Sequence, residues 1–171
     1  MKICILADSH DHGSLLGAAV GDAHARGAEA VLHCGDVVAP STLKVLRAYP
    51  LPVHIIHGNN TGDLVAMLKF AHRSGGLIHY YGQDAFLTLH SRKIFMVHYP
   101  LYGRALALTG DYDLVCCGHE HQTWMEKITN IQGGHTWCVN PGTVGGVSAP
   151  ATYLLGDLDK MDFQVLNVPL N

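Results

Sequence analysis

Short apolar runs alternate with polar loops through the first half of the chain. Residues 3–7, 30–34 and 53–57 have the apolar character and the length of short buried strands. Each run ends at a polar loop, and an amphipathic stretch follows each loop. Strand, loop and helix repeated three times predict parallel βαβ units.

The helices of this first half carry their own start and stop signals. Ser14 is expected to cap a helix that ends near Arg26, and Ser41 a short helix that ends near Pro50. Thr61 or Asp63 is expected to open a third helix. The apolar residues of this third helix are expected to share one buried face, namely Leu64, Met67, Leu68 and Ala71.

The second half is dominated by strands that predict antiparallel pairing. Residues 85–89 and 93–98 flank a polar turn, as do 152–158 and 163–168, so each pair is expected to form a hairpin. Further strands are expected at 77–80, 113–117, 122–128 and 136–139, with a helix at 101–109. The order predicts an α/β fold with an α+β-like second half, in which two facing mixed sheets are flanked by helices in a single domain, residues 1–171.

Charge narrows the range of partners. Charged residues make up 15% of the 171 residues, and the net charge is −3. Sequence-independent binding of nucleic acid needs a basic protein surface, so nucleic acid is not expected as a large ligand. A small phosphorylated substrate stays compatible with this charge, because bound metal ions can supply positive charge locally.

Cysteine usage and hydropathy indicate the compartment. The five cysteines lie in or at the end of apolar stretches and form no C-x-x-C pair, so we expect reduced, buried thiols rather than a thiolate zinc site. The first residues lead straight into a strand, and no apolar run has membrane-spanning length. These features predict a cytoplasmic protein without a membrane partner.

Histidine is unusually abundant, and several histidines follow predicted strands. The thirteen histidines outnumber the eleven lysines and arginines together. Ligands collect at the carboxyl ends of strands in such folds, and five predicted strand ends carry seven nitrogen and oxygen donors. These donors are Asp8, His10, Asp36, Asn59, His98, His119 and His121.

Each donor taken alone also has a purely structural explanation. Asp8 and Asp36 are suited to loop capping, Asn59 to a turn, and His98 to a buried core. Their joint occurrence is better explained by a metal site. One tetrahedral ion needs only four ligands, whereas seven donors with one bridging carboxylate suit two ions about 3.5–4 Å apart.

The ordered motifs resemble those of the calcineurin-like metallophosphoesterases. They are Asp8-x-His10, Gly35-Asp36, Gly58-Asn59, His98 after a strand, and Gly118-His119-x-His121. Together with Asn140-Pro141-Gly142-Thr143 and the short chain, they resemble the small bacterial and archaeal phosphodiesterase branch, to which the retromer scaffold subunit is related.

The resemblance implies two divalent metal ions, with manganese as the first choice and iron, nickel, cobalt or zinc as alternatives. One ion would be held by Asp8, His10, Asp36 and His121, and the other by Asp36, Asn59, His98 and His119. Asp36, Asn59 and His98 would then serve catalysis, with a hydroxide between the metals as the nucleophile. Metal coordination lowers the pKa of water to about 7, so such a nucleophile exists at neutral pH.

Two positions depart from the family pattern. Larger relatives often carry a histidine after Gly-Asn that is taken to protonate the leaving oxygen, whereas this chain has Asn60, which cannot act as a general acid. His12 is the nearest substitute acid, and good leaving groups such as aryl phosphodiesters are expected to be preferred. Tyr99 follows His98 where relatives often have glycine, so it either narrows the pocket, stacks on an aromatic leaving group, or packs structurally.

Three functions stay open at this point. The first is a metal-dependent phosphoric ester hydrolase, most simply a phosphodiesterase of small phosphoesters. The second is a non-catalytic, metal-binding interaction module on the same fold, and the third a metal hydrolase of amide or ester bonds. The exposed edges of two sheets also suggest a homo-oligomer. His33 and His57 are expected to orient ligands. Arg104 is expected at the surface, with contact to a phosphate near a helix start as the alternative.

Overall fold

The computed structural model describes residues 1–169, in which eleven strands form two mixed sheets. Residues 170 and 171, the end of the expected 1–171 domain, lie outside the described part. The strands are β1 (Lys2–Leu6), β2 (Ala28–His33), β3 (Val53–Ile55), β4 (Ile78–Tyr80), β5 (Asp84–Leu89), β6 (Arg92–Val97), β7 (Leu114–Cys116), β8 (Thr123–Thr129), β9 (His135–Pro141), β10 (Thr152–Asp157) and β11 (Asp162–Asn167).

Strand pairing corrects the expectation of an antiparallel second half, because within residues 1–169 β4 and β7 pair only with parallel neighbours. The six-stranded sheet has the order β11-β10-β1-β2-β3-β4, in which β1 to β4 run parallel and the hairpin of β10 and β11 extends the sheet beside β1. The five-stranded sheet has the order β5-β6-β7-β9-β8, with β6, β7 and β9 parallel and both edges antiparallel. The prediction of two mixed sheets flanked by helices is confirmed.

Three α-helices and one 3-10 helix join these strands in residues 1–169. They are α1 (Gly13–Ala25), the 3-10 helix (Pro40–Ala48), α2 (Leu64–His72) and α3 (Pro100–Thr109). The predicted Ser14 cap is wrong, because α1 begins at Gly13 and His12 occupies the cap position. The helix expected from Ser41 is a 3-10 helix that begins at Pro40, since proline at a first helical position has a suitable φ and no amide hydrogen to satisfy.

Helix α2 corrects one prediction and decides between two others. Asp63, not Thr61, is its cap, and the Asp63 carboxylate accepts a hydrogen bond from the Ala66 amide at 2.9 Å. Met67 and Ala71 are buried, but Leu64 and Leu68 are exposed. The helix packs on one narrow side only, so a four-residue apolar face was too wide an expectation.

Strand β1 lies at the centre of the apolar interior. Ile3 and Ile5 point into the core between the two sheets, whereas Cys4 and Leu6 point into the core beneath α1 and the 3-10 helix. This alternation follows from the two-residue period of a strand, and it buries both faces of β1. All five cysteines are buried and unbridged, as expected.

No helix among residues 1–169 is long and apolar enough to cross a membrane.

Candidate metal centre

The loops after five strands converge at one end of the two sheets. Asp8 and His10 follow β1, Asp36 follows β2 and Asn59 follows β3, all from the six-stranded sheet. His98 follows β6, and His119 and His121 follow β7, from the five-stranded sheet. Backbone hydrogen bonds join neighbouring loops, for example from the Asp8 amide to the Gly35 carbonyl at 2.9 Å. The structure thus brings together all seven predicted donors.

Four of the donors form a first cluster. The Nε2 atoms of His10 and His121 lie 3.1 Å apart. Oδ1 of Asp8 lies 3.5 Å from His121 Nε2 and 3.9 Å from His10 Nε2, and Oδ2 of Asp36 lies 3.7 Å from His10 Nε2. Ligand atoms of Asp8, His10 and His121 all lie within 4.8 Å of one another, and the Asp36 carboxylate lies beside His10.

The remaining donors form a second cluster. Oδ1 of Asn59 lies 3.0 Å from His98 Nε2 and 2.8 Å from His119 Nδ1. Oδ1 of Asp36 lies 3.5 Å from His98 Nε2. Asp36 therefore turns one carboxylate oxygen to each cluster, which is the geometry required of a bridging ligand.

The chemistry of the second cluster fits a cation. The Nδ1–H of His98 donates a hydrogen bond to the Cys34 carbonyl at 2.8 Å, so the neutral ring presents a lone pair at Nε2. That lone pair faces the Asn59 amide oxygen, which is also an acceptor. Two acceptors at this distance with no proton between them are stabilised by a cation placed between them.

The first cluster contains an orphaned buried oxygen. Asp8 is fully buried, and its Oδ1 has no hydrogen-bond partner among the residues that the structure describes. Its Oδ2 accepts a hydrogen bond from the His119 amide at 2.9 Å. An unpaired buried carboxylate oxygen is costly, and a divalent ion next to His10 and His121 removes that cost. The residues present therefore fit metal ions in both clusters.

Burial controls protonation around the centre. Burial raises the pKa of Asp8 to about 8, with a further contribution from the negative charge of Asp36. Burial lowers the pKa of His10 and of His98, which keeps these rings neutral and able to act as ligands. For Asp36, burial acts to raise the pKa, but the hydrogen bonds from Asn60 outweigh it and the net pKa is lowered.

Asn60 holds the bridging carboxylate, a contact that sequence reasoning did not predict. Its backbone amide donates to Asp36 Oδ1 at 2.8 Å, and its side-chain amide donates to Asp36 Oδ2 at 2.6 Å. The position of Asn60 directly after Gly58-Asn59 was the one available signal that it lies beside the carboxylate.

Backbone strain concentrates at the same loops. Five of the seven donors have φ between 41° and 73°, a region that residues other than glycine rarely adopt. They are Asp8, His10, Asp36, His119 and His121. Such strain persists only where the surrounding structure enforces it, and it clusters at functional sites.

Glycine is required at Gly58 because the backbone passes directly beneath the donors. A Cβ built there would overlap Asp36 Oδ1 and would lie 2.7 Å from His98 Nε2. The Gly-Asn motif therefore has a steric basis.

The other predicted residues lie around the clusters. His33 Nε2 lies 3.1 Å from the Ser9 hydroxyl oxygen, and burial with the nearby His98 lowers the pKa of His33 to about 3. His57 Nδ1 lies 2.6 Å from the Tyr80 hydroxyl oxygen. The exposed ring of His12 lies 3.2 Å from the Ser14 hydroxyl oxygen, and no hydrogen bond within residues 1–169 joins this ring to either cluster. Tyr99 packs edge-on against His119, with ring centroids 4.9 Å apart.

Arg104 belongs to a network that supports the His119–His121 loop. Its guanidinium donates to both Glu126 oxygens, at 3.1 and 2.9 Å, and lies over the Trp124 ring. The Trp124 indole N–H donates to Glu120 at 2.8 Å, and Glu120 separates the two histidine donors. The sequence carried no signal for this network, since its members come from α3, β8 and a loop.

Fold and donor set together define an α/β protein with a candidate metal centre of nitrogen and oxygen ligands. The model of the calcineurin-like phosphoesterase superfamily domain matches residues 1–161. The chain belongs to that superfamily, and the resemblance inferred from the motifs is confirmed.

Individual relatives cover nearly the whole chain. A phosphodiesterase of Methanocaldococcus jannaschii is 26% identical over 172 residues, which span 96% of this chain and 97% of the relative. A solved archaeal phosphodiesterase superposes with a TM-score of 0.88 at 23% identity, covering 98% of this chain and 99% of its own. Vps29 of Chaetomium thermophilum superposes with a TM-score of 0.64 at 14% identity, covering 99% and 100%. These structural likenesses support the fold.

Proposed function

We propose that this chain is a dinuclear metal-dependent phosphodiesterase that hydrolyses small phosphoesters. One observation carries the proposal: the two carboxylate oxygens of Asp36 face two separate donor clusters. A single ion in one cluster would leave the Asp36 oxygen that faces the other cluster without a cation. The 26% identity to a phosphodiesterase over nearly the full length supports the same reaction class.

The assignment of ligands follows the two clusters. Asp8, His10, Asp36 and His121 would hold one divalent ion, and Asp36, Asn59, His98 and His119 the other. When bound, the ions would activate water as a nucleophile at neutral pH and offset negative charge on the phosphate. Nitrogen and oxygen donors suit manganese, which we propose first, and also iron, cobalt, nickel and zinc.

Residues around the clusters orient three of the donors in the absence of a metal ion. Cys34 and Val147 carbonyls accept the Nδ1–H groups of His98 and His121, at 2.8 and 3.0 Å, which turns both Nε2 atoms inward. Asn60 fixes both Asp36 oxygens. Such outer contacts to ligands are worth about 10–100-fold in metal affinity.

Leaving-group preference follows from Asn60. Its side chain is engaged with Asp36 and has no acidic proton to give, so an alkoxide leaving group would need its proton from another residue. Aryl phosphodiesters are therefore the proposed best substrates, and His12 is the proposed substitute acid. The test is the dependence of rate on leaving-group pKa. A shallow dependence that His12→Ala leaves unchanged would rule out this assignment.

Release of p-nitrophenol from bis-p-nitrophenyl phosphate with added Mn²⁺ tests the proposed reaction. Asp36→Asn should lower the rate by at least about 100-fold, because the bridging charge is lost. Asp84→Asn at an exposed position of β5 is the control with the same chemical change, and it should retain wild-type activity. Absence of metal-dependent turnover, or full activity of Asp36→Asn, would overturn the proposal. Phosphate inhibition and a panel of carboxylic esters separate it from an ester or amide hydrolase.

A non-catalytic interaction module is the second candidate. The fold is shared with Vps29, and α2 exposes three apolar side chains, Leu64, Val65 and Leu68. Metal binding without turnover of any phosphoester would favour this candidate. We also propose a cytoplasmic location on the basis of the five unbridged thiols, and size measurement in solution would test the proposed homo-oligomer.

A further inference from the structure

A basic groove lies between the 3-10 helix and α2. Its volume is about 460 Å³. Four cationic side chains line it, Lys44 and Arg47 from the 3-10 helix and Lys69 and Arg73 from α2 and its C-terminal cap. Ala66 and Phe70 add an apolar surface. None of these residues belongs to the metal clusters.

The four cations have no acidic partner in the part of the chain that the structure describes. The arginine ion pairs found there involve Arg26, Arg92 and Arg104 instead. Residues 37–83 contain four of the chain's eleven Lys and Arg but one of its fourteen Asp and Glu. That one acid, Asp63, uses its carboxylate as the cap of α2. The groove is thus a positive region on a chain of net charge −3.

Helix geometry explains only part of this arrangement. Arg47, Lys69 and Arg73 lie at helix ends, where cations are favoured by the helix dipole. That preference does not account for Lys44, nor for two helices that both contribute cations to the lining of one groove. Four like charges that line one groove without an acidic partner repel each other, and a bound anion would turn this cost into attraction.

The apolar surface indicates what else the anion carries. The Arg47 guanidinium lies 5.0 Å from the centroid of the Phe70 ring, so the two groups form a cation–π pair in the groove lining. Guanidinium groups match phosphate geometry and also stack on rings. A volume of this size falls in the range of small-ligand sites.

We propose that this basic groove binds a nucleoside polyphosphate, whose phosphates contact the four cations and whose ring system lies on the apolar surface. The inference goes beyond the proposed hydrolysis and does not need the metal ions. The 3-10 helix begins four residues after Asp36, and α2 begins five residues after Asn59. An occupant would therefore contact the elements that continue from two of the donor loops.

Calorimetric titration of ADP into the metal-free protein, with a chelator present, tests the proposal. Arg47→Glu combined with Arg73→Glu should weaken binding by at least about 100-fold, because each charge-assisted contact is worth roughly tenfold or more. Lys127→Glu combined with Lys160→Glu makes the same change of net charge at exposed positions outside the groove, and it should leave binding within about twofold. Circular dichroism and thermal unfolding check that all variants fold, and Lys44→Gln gives a milder second measurement in the groove.

Each outcome decides the matter. Loss of ADP binding in the groove variants alone supports the proposal, whether or not the protein hydrolyses phosphodiesters. No binding to the wild type, or equal binding by groove and control variants, overturns it. Tripolyphosphate binding as tightly as ADP would overturn the role of the ring system. Tighter, groove-dependent binding of a single-stranded oligonucleotide of about ten nucleotides would overturn the proposal, because the ligand would then be single-stranded nucleic acid.

Discussion

Gly58→Ala tests whether the candidate centre depends on the close approach of backbone to donors. Gly58 has no left-handed backbone, so alanine adds no conformational strain and steric overlap is the dominant effect. The new Cβ would overlap Asp36 Oδ1 and lie 2.7 Å from both Nε2 and Cε1 of His98. Ordinary contact begins at 3.4 Å, so His98 must retreat by about 0.7 Å and Asp36 by more.

The expected effect is large on activity and moderate on stability. A displacement of about 1 Å at reacting groups costs on the order of 100-fold in rate. Overpacking of a buried site costs about 1–3 kcal/mol of unfolding free energy. We therefore expect activity toward bis-p-nitrophenyl phosphate to fall by about 100-fold, with weaker Mn²⁺ binding by calorimetry, in a protein that still unfolds cooperatively.

Gly17→Ala is the matched control. Gly17 lies inside α1, where a Cβ would meet Val45 at an ordinary 3.6 Å, and alanine is a better helix former by up to about 1 kcal/mol. This variant should keep full activity with equal or greater stability. Wild-type activity and metal affinity in Gly58→Ala would refute the packing argument, because the donors would then tolerate a group that the structure excludes.

Two further predictions concern the loop support and the pH dependence of folding. Trp124→Phe removes the indole donor to Glu120 and should weaken Mn²⁺ binding about tenfold in calorimetry without changing secondary structure; unchanged affinity would show that the network is structural only. Burial, followed by the charge of His79, lowers the pKa of His54 to about 4, so the unfolded chain takes up a proton first as pH falls. Stability should therefore decline from pH 6.5 toward 4, by less than about 3 kcal/mol because the ring is partly solvated. Urea unfolding of His54→Phe should show a flatter pH profile, and an unchanged slope would contradict the assignment.

Much of the fold follows from local patterns. Strand–loop–helix order predicted the parallel strands, and polar turns predicted the hairpin of β5 with β6 and that of β10 with β11. Local patterns did not determine how wide a face each helix buries, because that depends on neighbours distant in sequence. Leu64 and Leu68 were misassigned for this reason.

The sequence predicted which donor residues form the candidate centre, but not the hydrogen bonds that orient them. Side chains at parallel strand ends necessarily meet, which is why all seven predicted donors lie in two clusters. The orientation of Asp36 by Asn60 and the support of Glu120 by Trp124 could not be predicted, since both depend on side-chain directions. The net charge of −3 also gave no indication that four cationic side chains line one groove.

The origin of the donors in both sheets has a mechanical consequence. Each cluster draws ligands from the six-stranded and the five-stranded sheet, and Asp8 and His119, already hydrogen-bonded, are 111 residues apart. An ion in either cluster would work as a removable cross-link, much as a disulfide does in a secreted protein. No disulfide cross-links the five thiols of this chain. The donor atoms that hold the ions would then both support the proposed reaction and cross-link the two sheets.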